Sequence, residues 1–352
     1  LLNERGRLGF ILPHKFFNAK YGEPLRGLIA EGKHLSQIVH FGAEQVFSSA
    51  TTYTCLLFLT RAANEQFEFV KAHDLEAWQR GEAAPSGSIP SAGVGEQEWN
   101  FTIGEGIGLL AKLRALPQTL GDVATIFVGL QTSADRVFTL REKGELEVEL
   151  LKPLLKTDSL KPYDFPAVNN WILFPYDVEN GAANLIPATR LKRKYPNTWA
   201  YLKSHEALLR GRDNGQWNHD QWYAYGRSQN LAQMDNPKLI VQVMALKPTV
   251  IYDDRSLYMT GGGSGPFYGV RLKEQTHDLL YLLGILNSKL FGFIVASQST
   301  VMRGGYVKYS KQYIESAPIR PIDFTDPADA ARHEEMVALV TRMLELHRKL
   351  AA

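Results

Sequence analysis

The 352-residue sequence has little cysteine, no long apolar run and almost no net charge. Cys55 is its one cysteine, which excludes a disulfide framework or a multi-cysteine zinc site and predicts a reducing, cytoplasmic setting. The longest apolar stretch, LLYLLGIL (279–286), falls well short of the roughly 20 residues that a membrane span needs, so we expect no membrane partner. The net charge of +2 points to no class of partner by its sign.

The sequence also lacks the short motifs that mark complete catalytic sites. It has no H-E-x-x-H zinc motif, no G-x-S-x-G nucleophile turn and no convincing pair of carboxylates for a nuclease. We therefore expect neither a bound metal nor a complete catalytic site in this chain. Its start at Leu1, without an initiator methionine or a signal pattern, is what we expect of a portion of a longer protein.

The first part of the chain has the alternation of strand and helix that is typical of an α/β sheet. Three runs rich in apolar, β-branched and aromatic residues predict strands, namely RLGFILP (7–13), QIVHFG (37–42) and YTCLLFLTR (53–61). Pro13 ends the first run, which we expect to be a buried strand. Apolar spacing predicts a helix over 22–33. We assign residues 1–65 to part of an α/β sheet.

The composition changes after this region. Residues 66–109 contain a Gly-, Ser- and Pro-rich stretch and are predicted to be an insertion or linker. Residues 110–325 show short strands broken by turns, with a helix near 277–297, and predict a mixed α+β domain. Residues 326–352 predict a C-terminal amphipathic helix with Asp326 as its N-cap.

Positive charge is concentrated in residues 190–227, where eight basic and three acidic side chains give +5. Seven aromatic residues are interleaved with them, namely Tyr195, Trp199, Tyr201, Trp217, Trp222, Tyr223 and Tyr225. Basic side chains neutralise phosphates, and aromatic rings stack on bases or support the basic residues by packing. One such run alone would favour the alternative, which is a solvated charged face combined with aromatic residues that belong to the core. A second basic-aromatic run at 301–313 favours contact with nucleic acid.

Two segments near the start resemble the closing motifs of methyltransferases that modify adenine in DNA. GRLGFILPHKFF (6–17) is similar to the strand and following segment after their catalytic motif, and FGAEQVFSSATTYTCLLFL (41–59) is similar to their paired strands. In the Taq-type enzymes an aromatic residue at the matching point stacks on the adenine flipped out of the duplex, and Phe47 occupies that point here. The alternative is that Phe47 is a core residue at a strand end.

Further segments are similar, in the same order, to the target-recognition domain of type IIG restriction–modification enzymes. They are 121–138, 150–163, 236–242, 282–295 and 304–319. The resemblance implies a partial Rossmann-like methyltransferase sheet followed by a recognition domain that binds double-stranded DNA. It also implies that the parent enzyme uses S-adenosylmethionine, bound upstream of residue 1, because the family's cofactor motif and its Asn-Pro-Pro motif do not occur in this sequence. We expect no cofactor in this portion, and an endonuclease domain fused upstream stays an open alternative.

The basic runs and the resemblance together single out residues for DNA contact. They are Lys15, Ser48, Thr51, Gln131, Thr132, Ser133, Arg136, Arg193, Lys194, Arg210, Arg212, Arg227, Arg303, Lys308 and Lys311. The polar turn at 131–136 suits contact with base edges or phosphates. The alternative for this turn is a surface turn held by an Asx-type hydrogen bond in which the Asp135 carboxylate is the acceptor.

Two other classes of function are weighed against a methyltransferase portion. A non-catalytic specificity subunit, or a structural remnant in a phage-defence complex, would not need the strands predicted at 7–13 and 37–59. A carbohydrate-binding protein would use its 15 Tyr and 6 Trp to stack on sugars. A carbohydrate-active enzyme would add paired carboxylates in a cleft, which the sequence does not suggest. Sequence-specific DNA recognition within an adenine-N6 methyltransferase is the function that the sequence favours.

Overall fold

The structure is a computed structural model that describes residues 2–50, 52–104, 106–157, 160–261, 266–273, 278–299 and 301–351. The chain divides into two compact units. The first unit comprises residues 1–117 and 293–308, and the second comprises residues 118–292 and 309–352.

The first unit is built on a mixed sheet with the strand order β1-β3-β2-β4-β5. Its strands are β1 (Arg7–Pro13), β2 (Leu35–His40), β3 (Thr54–Thr60), β4 (Gln66–Lys71) and β5 (Ser86–Pro90), with a later pair β17 (Val301–Met302) and β18 (Tyr306–Lys308). Its helices are α1 (Glu23–Glu31), α2 (Leu75–Gln79) and α3 (Gly106–Arg114). Because β3 is antiparallel to both β1 and β2, and β2 is parallel to β4, the strands β1, β2 and β4 run in the same direction.

Two features of this sheet differ from the sequence-based expectation. β1 lies at the edge of the sheet and none of its residues is buried, with Phe10 56% and Ile11 44% exposed. Residues 66–109, predicted to be an insertion or linker, supply β4 and β5 to the same sheet. Phe67 and Phe69 of β4 are buried in its core, and Ile89 of β5 packs against that core. The rest of the β5 sequence SGSIP is not apolar, and the strand is held by backbone pairing with β4.

The second unit contains two sheets and a hairpin. One sheet has the order β14-β12-β16-β6, the other β15-β8-β9-β7, and β10 pairs with β11. The strands are β6 (Ala124–Val128), β7 (Thr139–Leu140), β8 (Leu151–Leu155), β9 (Trp171–Leu173), β10 (Tyr176–Glu179), β11 (Ala182–Leu185), β12 (Lys238–Gln242), β13 (Met244–Ala245), β14 (Val250–Asp253), β15 (Tyr258–Met259) and β16 (Phe267–Leu272). This agrees with the short strands predicted after residue 110.

Helices complete the second unit. They are α4 (Leu120–Val123), α5 (Asp135–Phe138), α6 (Ala188–Lys194), α7 (Pro196–Ser204), α8 (Glu206–Arg210), α9 (Arg212–Gly215), α10 (Leu279–Leu286), α12 (Lys311–Glu315) and α13 (Pro327–Ala351), while α11 (Lys289–Gln298) crosses the division between the units. The carboxylate of Asp326 accepts from the backbone N–H of Ala328 at 2.9 Å, as its predicted capping role requires.

The helix predicted over 277–297 is broken into α10 and α11. Among the described residues no single helix is long and apolar enough to cross a membrane; α10 and α11 reach that composition only as a pair, with a bend of 64° between them. Leu282, Leu283 and Leu286 of α10 are fully buried within the protein.

Candidate nucleic-acid interface

The turn between β6 and α5 carries four predicted DNA contacts, namely Gln131, Thr132, Ser133 and Arg136. Thr132 is fully buried. Its hydroxyl donates to the Asp135 carboxylate and accepts from the backbone N–H of Ala134 at 3.0 Å. The prediction that Thr132 contacts DNA is therefore wrong, because this hydroxyl is used to fix the turn. Ser133, with a φ of +55°, and Arg136 are exposed beside it.

A second segment of the basic run is tied to this turn. The backbone N–H of Arg227 donates to the carbonyl of Gln131, and that of Gly226 to the carbonyl of Thr132, both at 3.1 Å. The contact requires a glycine, because a Cβ at position 226 would lie 1.9 Å from the hydroxyl oxygen of Ser133. The exposed Arg227 is thereby brought next to Ser133, although the two residues are far apart in sequence.

Arg212 is the buried support beneath these segments. Its guanidinium donates at 2.6–2.9 Å to the backbone carbonyls of Leu209, Thr132, Trp222 and Ala224. It also lies 4.2 Å from the ring centroid of Trp217 and is only 7% exposed. Arg212 was predicted to contact DNA. That prediction is wrong, because the N–H groups of the Arg212 side chain are used in hydrogen bonds that hold the backbone at residues 132, 209 and 222–224 together.

Two open cavities border this turn. A polar cavity of about 540 Å³ has Ser133 and Arg227 in its lining, with Asp213, Trp217 and His219. A second cavity of about 330 Å³ is lined in part by three basic residues, Arg136, Arg141 and Lys156. Sequence reasoning missed Arg141 and Lys156, which stand outside the dense basic runs. The Asp135 carboxylate also lines this cavity, and the excess of three cations over one acid favours an anionic ligand such as a phosphate backbone.

Helix α6 carries the exposed part of the basic run. Arg193 and Lys194 are exposed in its last turn, and the Lys194 ammonium lies 5.0 Å from the ring centroid of Tyr195. Arg190 is instead engaged by Asp177, with Nη1 2.6 Å from a carboxylate oxygen. Within the described part of the chain no carboxylate pairs with Arg193 or Lys194, so both are available to an external anion.

Arg210 is committed to contacts inside the second unit. Its Nε donates to Glu206 at 2.9 Å and its Nη1 to the carbonyl of His219 at 3.0 Å. Hydrogen bonds from Lys203 and Arg210 hold the pKa of Glu206 below its usual value. These half-buried contacts leave Arg210 less free for DNA than Arg193, and its predicted role stays a prediction.

Most of the interleaved aromatic residues belong to the core. Tyr195, Trp222, Tyr223 and Tyr225 are 2–5% exposed. The hydroxyl of Tyr223 donates to the carbonyl of Ile186 at 2.8 Å, and that of Tyr225 to the carbonyl of Leu173 at 2.6 Å. These rings support the basic segments by packing and do not offer a face for a base. Among the seven, partial exposure remains at Trp199, Tyr201 and Trp217.

The second basic run is divided between the two units. Lys308 is half-buried on β18 of the first unit. Lys311 is exposed in the second unit, 3.6 Å from the Glu315 carboxylate. The side chain of Arg303 lies outside what the structure describes. The sequence suggested that this run belongs to a single domain, whereas the structure divides its residues between the two units.

The first unit holds the remaining predicted residues. Phe47 is 42% exposed, so it is not a core residue. We expected it at the end of a strand, but it lies in the connection between β2 and β3, several residues after β2 ends at His40. Ser48 and Lys15 are exposed. Thr51 lies outside the described residues. The roles of Phe47, Ser48 and Lys15 stay predictions.

Two family models match the chain. The one described as Eco57I restriction-modification methylase matches residues 1–47. The one described as TaqI-like C-terminal specificity domain matches residues 187–319, which include α6, Arg212 and Arg227.

Curated relatives and one solved structure agree with these matches. The Type II restriction enzyme and methyltransferase RM.Eco57I of Escherichia coli is 27% identical over 95% of this chain and 36% of its own length. The Type II methyltransferase M.XhoI of Xanthomonas vasicola is 25% identical over 88% of this chain and 58% of its own. The chain thus spans less than two thirds of either relative. The Type IIL restriction-modification enzyme MmeI, solved in complex with DNA, has a similar fold, with a TM-score of 0.59 at 11% identity over 96% of this chain and 42% of that one.

These matches confirm the predicted resemblance to restriction–modification methyltransferases that carry a DNA-specificity domain. They also agree with a mixed α/β fold.

Proposed function

We propose that this chain recognises a specific double-stranded DNA sequence within an S-adenosylmethionine-dependent adenine-N6 methyltransferase of a restriction–modification or phage-defence system. The observation that carries the proposal is that Ser133, Arg136 and Arg227 are exposed on two segments of the second unit that backbone hydrogen bonds hold together. Two exposed arginines and a hydroxyl on a backbone fixed from beneath by Arg212 have the rigidity and the donors that base and phosphate contacts need. The specificity-domain match at 187–319 supports it.

The first unit is proposed to be the end of a Rossmann-like methyltransferase sheet. The methylase match at 1–47 and the order of β1, α1 and β2 support this assignment. β1 leaves an unpaired edge and exposes Phe10 and Ile11, which is typical of a strand covered by another segment. We propose that the remainder of the methyltransferase domain covers this edge of β1.

Phe47 is proposed to stack on the adenine that is extruded from the duplex. Its exposed ring supports this role, because an extruded base needs a π-face in place of its lost neighbours. The cofactor would supply the methyl group. The residues of this chain do not fit a site for it, since they contain neither the family's glycine-bearing cofactor motif nor an Asn-Pro-Pro motif, and we derive no methyl-transfer step from them.

The proposal is tested by the salt dependence of duplex binding. The affinity of the chain for a labelled duplex is measured by fluorescence anisotropy across a salt series. Each lost phosphate contact lowers the slope of log affinity against log salt by about 0.9, so Arg193→Ala/Lys194→Ala should lower it by about 1.8. Lys112→Ala/Arg114→Ala, which removes two exposed cations from the last turn of α3, should leave it unchanged. Equal slopes in all three proteins would contradict the interface.

A further inference from the structure

The short element α9 contains a left-handed turn. Asp213 and Asn214 have φ angles of +48° and +58°, and Gly215 has a φ of +84°. Residues other than glycine rarely adopt this region of backbone conformation, and here two of them do so in succession. All three residues are exposed, so burial of apolar groups does not explain the turn. Because such conformations occur preferentially at binding and active sites, the turn is a candidate for contact with a ligand.

The buried guanidinium of Arg212 supports this turn as well as the turn at 131–136. It lies 4.2 Å from the ring centroid of Trp217, and the indole N–H of Trp217 donates to the Asp213 carboxylate at 2.8 Å. The same guanidinium donates to the carbonyl of Thr132 at 2.9 Å. Two exposed turns that are distant in sequence are therefore held on one buried support.

Three side chains with free hydrogen-bonding groups line the polar cavity of about 540 Å³ that both turns border. They are the amide of Gln216, the hydroxyl of Ser133 and the guanidinium of Arg227. Within the described part of the chain, none of these three groups makes a hydrogen bond or an ion pair. All three residues are exposed, so their donors and acceptors are available to a ligand.

The charge of this cavity differs from that of the basic cavity at Arg141 and Lys156. Apart from His219, its charged side chains are one cation, Arg227, and one carboxylate, Asp213, whereas cations outnumber acids in the basic cavity. Balanced charge gives little attraction for a phosphate. Amide, hydroxyl and guanidinium groups without a net charge instead suit the edges of uncharged bases, which present donors and acceptors side by side.

We infer that Gln216 is a specificity-determining residue that reads an adenine on the major-groove edge of the duplex, near a guanine read by Arg227. A glutamine amide can accept from the N6 amino group of adenine and donate to N7, and an arginine can donate to O6 and N7 of guanine. Gln216 lies outside the residues that the sequence singled out for DNA contact. The inference rests on the proposed function, because base edges reach this cavity only if the second unit binds duplex DNA.

Selection of bound duplexes from a random pool, by the parent and by variants at position 216, tests the inference. The parent motif should contain an adenine whose preference Gln216→Ala abolishes at that position alone. The same variant should bind the parent motif about 5- to 150-fold more weakly, as expected for the loss of one bidentate base contact. Gln216→Glu should change the preferred base from adenine to cytosine, because a carboxylate accepts from the cytosine N4 amino group and cannot donate to N7 of adenine. Gln79→Ala, which removes an exposed amide at the end of α2, should select the parent motif.

Two further measurements separate a base contact from a phosphate contact and from damage to the turn. Gln216→Ala removes no charge, so its slope of log affinity against log salt should equal that of the parent. Its stability in urea should also be unchanged, because the side chain is exposed.

Three outcomes would overturn the inference. They are a parent motif without adenine, a loss of preference at every position in Gln216→Ala, and a motif that Gln216→Ala and Gln216→Glu leave unchanged. In each of these cases a parent that still enriches a motif refutes the role of Gln216 without refuting the proposed function.

Discussion

Acidification should destabilise the first unit through His40. The pKa of this imidazole is about 3 in the folded protein, against an ordinary value of 6.5, chiefly because the ring is buried. Because the pKa of His40 is lower in the folded than in the unfolded chain, its protonation favours unfolding. The free energy of unfolding is therefore unaffected above pH 6.5 and decreases as the pH falls below 6.5, where the unfolded chain binds a proton and the folded ring does not. Each pH unit below 6.5 removes about 1.4 kcal/mol, so His40 should cost about 2 kcal/mol at pH 5.

The variant His40→Asn separates this effect from other titrations. An Asn oxygen can accept the N–H of Gly42 as Nδ1 of His40 does, but it does not titrate. Urea unfolding at pH 7.5 and 5.0 should show a loss of stability that is about 2 kcal/mol smaller in His40→Asn than in the parent. Some pH dependence should remain, because burial also lowers the pKa of His14. Hydrogen exchange of residues 35–40, corrected for intrinsic rates, assigns the change to the first unit.

The matched control is His219→Asn, which replaces an exposed histidine of the second unit. It should keep the pH dependence of the parent. If the parent and His40→Asn lose the same stability between pH 7.5 and 5.0, the claim of a buried neutral imidazole at position 40 is refuted.

Two further predictions concern the core of the second unit and the exposed aromatic ring of the first. Lys238 and Asp253 form a fully buried ion pair with an N···O distance of 2.5 Å. Lys238→Met should lower the free energy of unfolding by about 3–5 kcal/mol. Lys238→Met/Asp253→Leu should recover part of it in urea titrations, but not all, because the Asp253 carboxylate also accepts from the backbone N–H groups of Arg255 and Leu257. No recovery would mean that the pair itself is stabilising. In an intact methyltransferase, Phe47→Ala should slow methylation of a duplex by about 5- to 150-fold, the equivalent of a 1–3 kcal/mol stacking contact, while Phe47→Trp should retain most activity. Equal rates for Phe47→Ala and the parent would remove the stacking role.

The spacing of apolar residues along the sequence predicted those strands and helices that bury an apolar side of their own. The strands at 37–42 and 53–61 and the helix at 22–33 appear as β2, β3 and α1 with ends shifted by a few residues. The edge position of β1 was not predictable, because an apolar run does not reveal whether a neighbour covers it. β5 was missed because its SGSIP sequence contributes backbone pairing and little apolar surface.

The candidate interface was predictable in its charge but not in its contacts. The +5 run was visible in the sequence, yet the sequence does not distinguish the exposed Arg193 from the buried Arg212, whose partners lie as far away as residue 132. The rings of His14, His40 and His73 lie next to one another, with centroids 4.2 Å and 5.9 Å apart, because of the order of the strands, and no local spacing in the sequence signals this. Phe47 is exposed as the resemblance implied.

Selection of bound duplexes from a random pool tests the central claim of specific recognition most directly. The chain should enrich one sequence motif, and Arg136→Gln should change the preferred base at one or two positions while Lys112→Gln on α3 leaves the motif intact. Arginine reads guanine through two hydrogen bonds worth about 1–3 kcal/mol of discrimination, which is enough to be seen in the enriched pool. Binding without an enriched motif, or a motif that Arg136→Gln leaves unchanged, would contradict sequence readout by this turn.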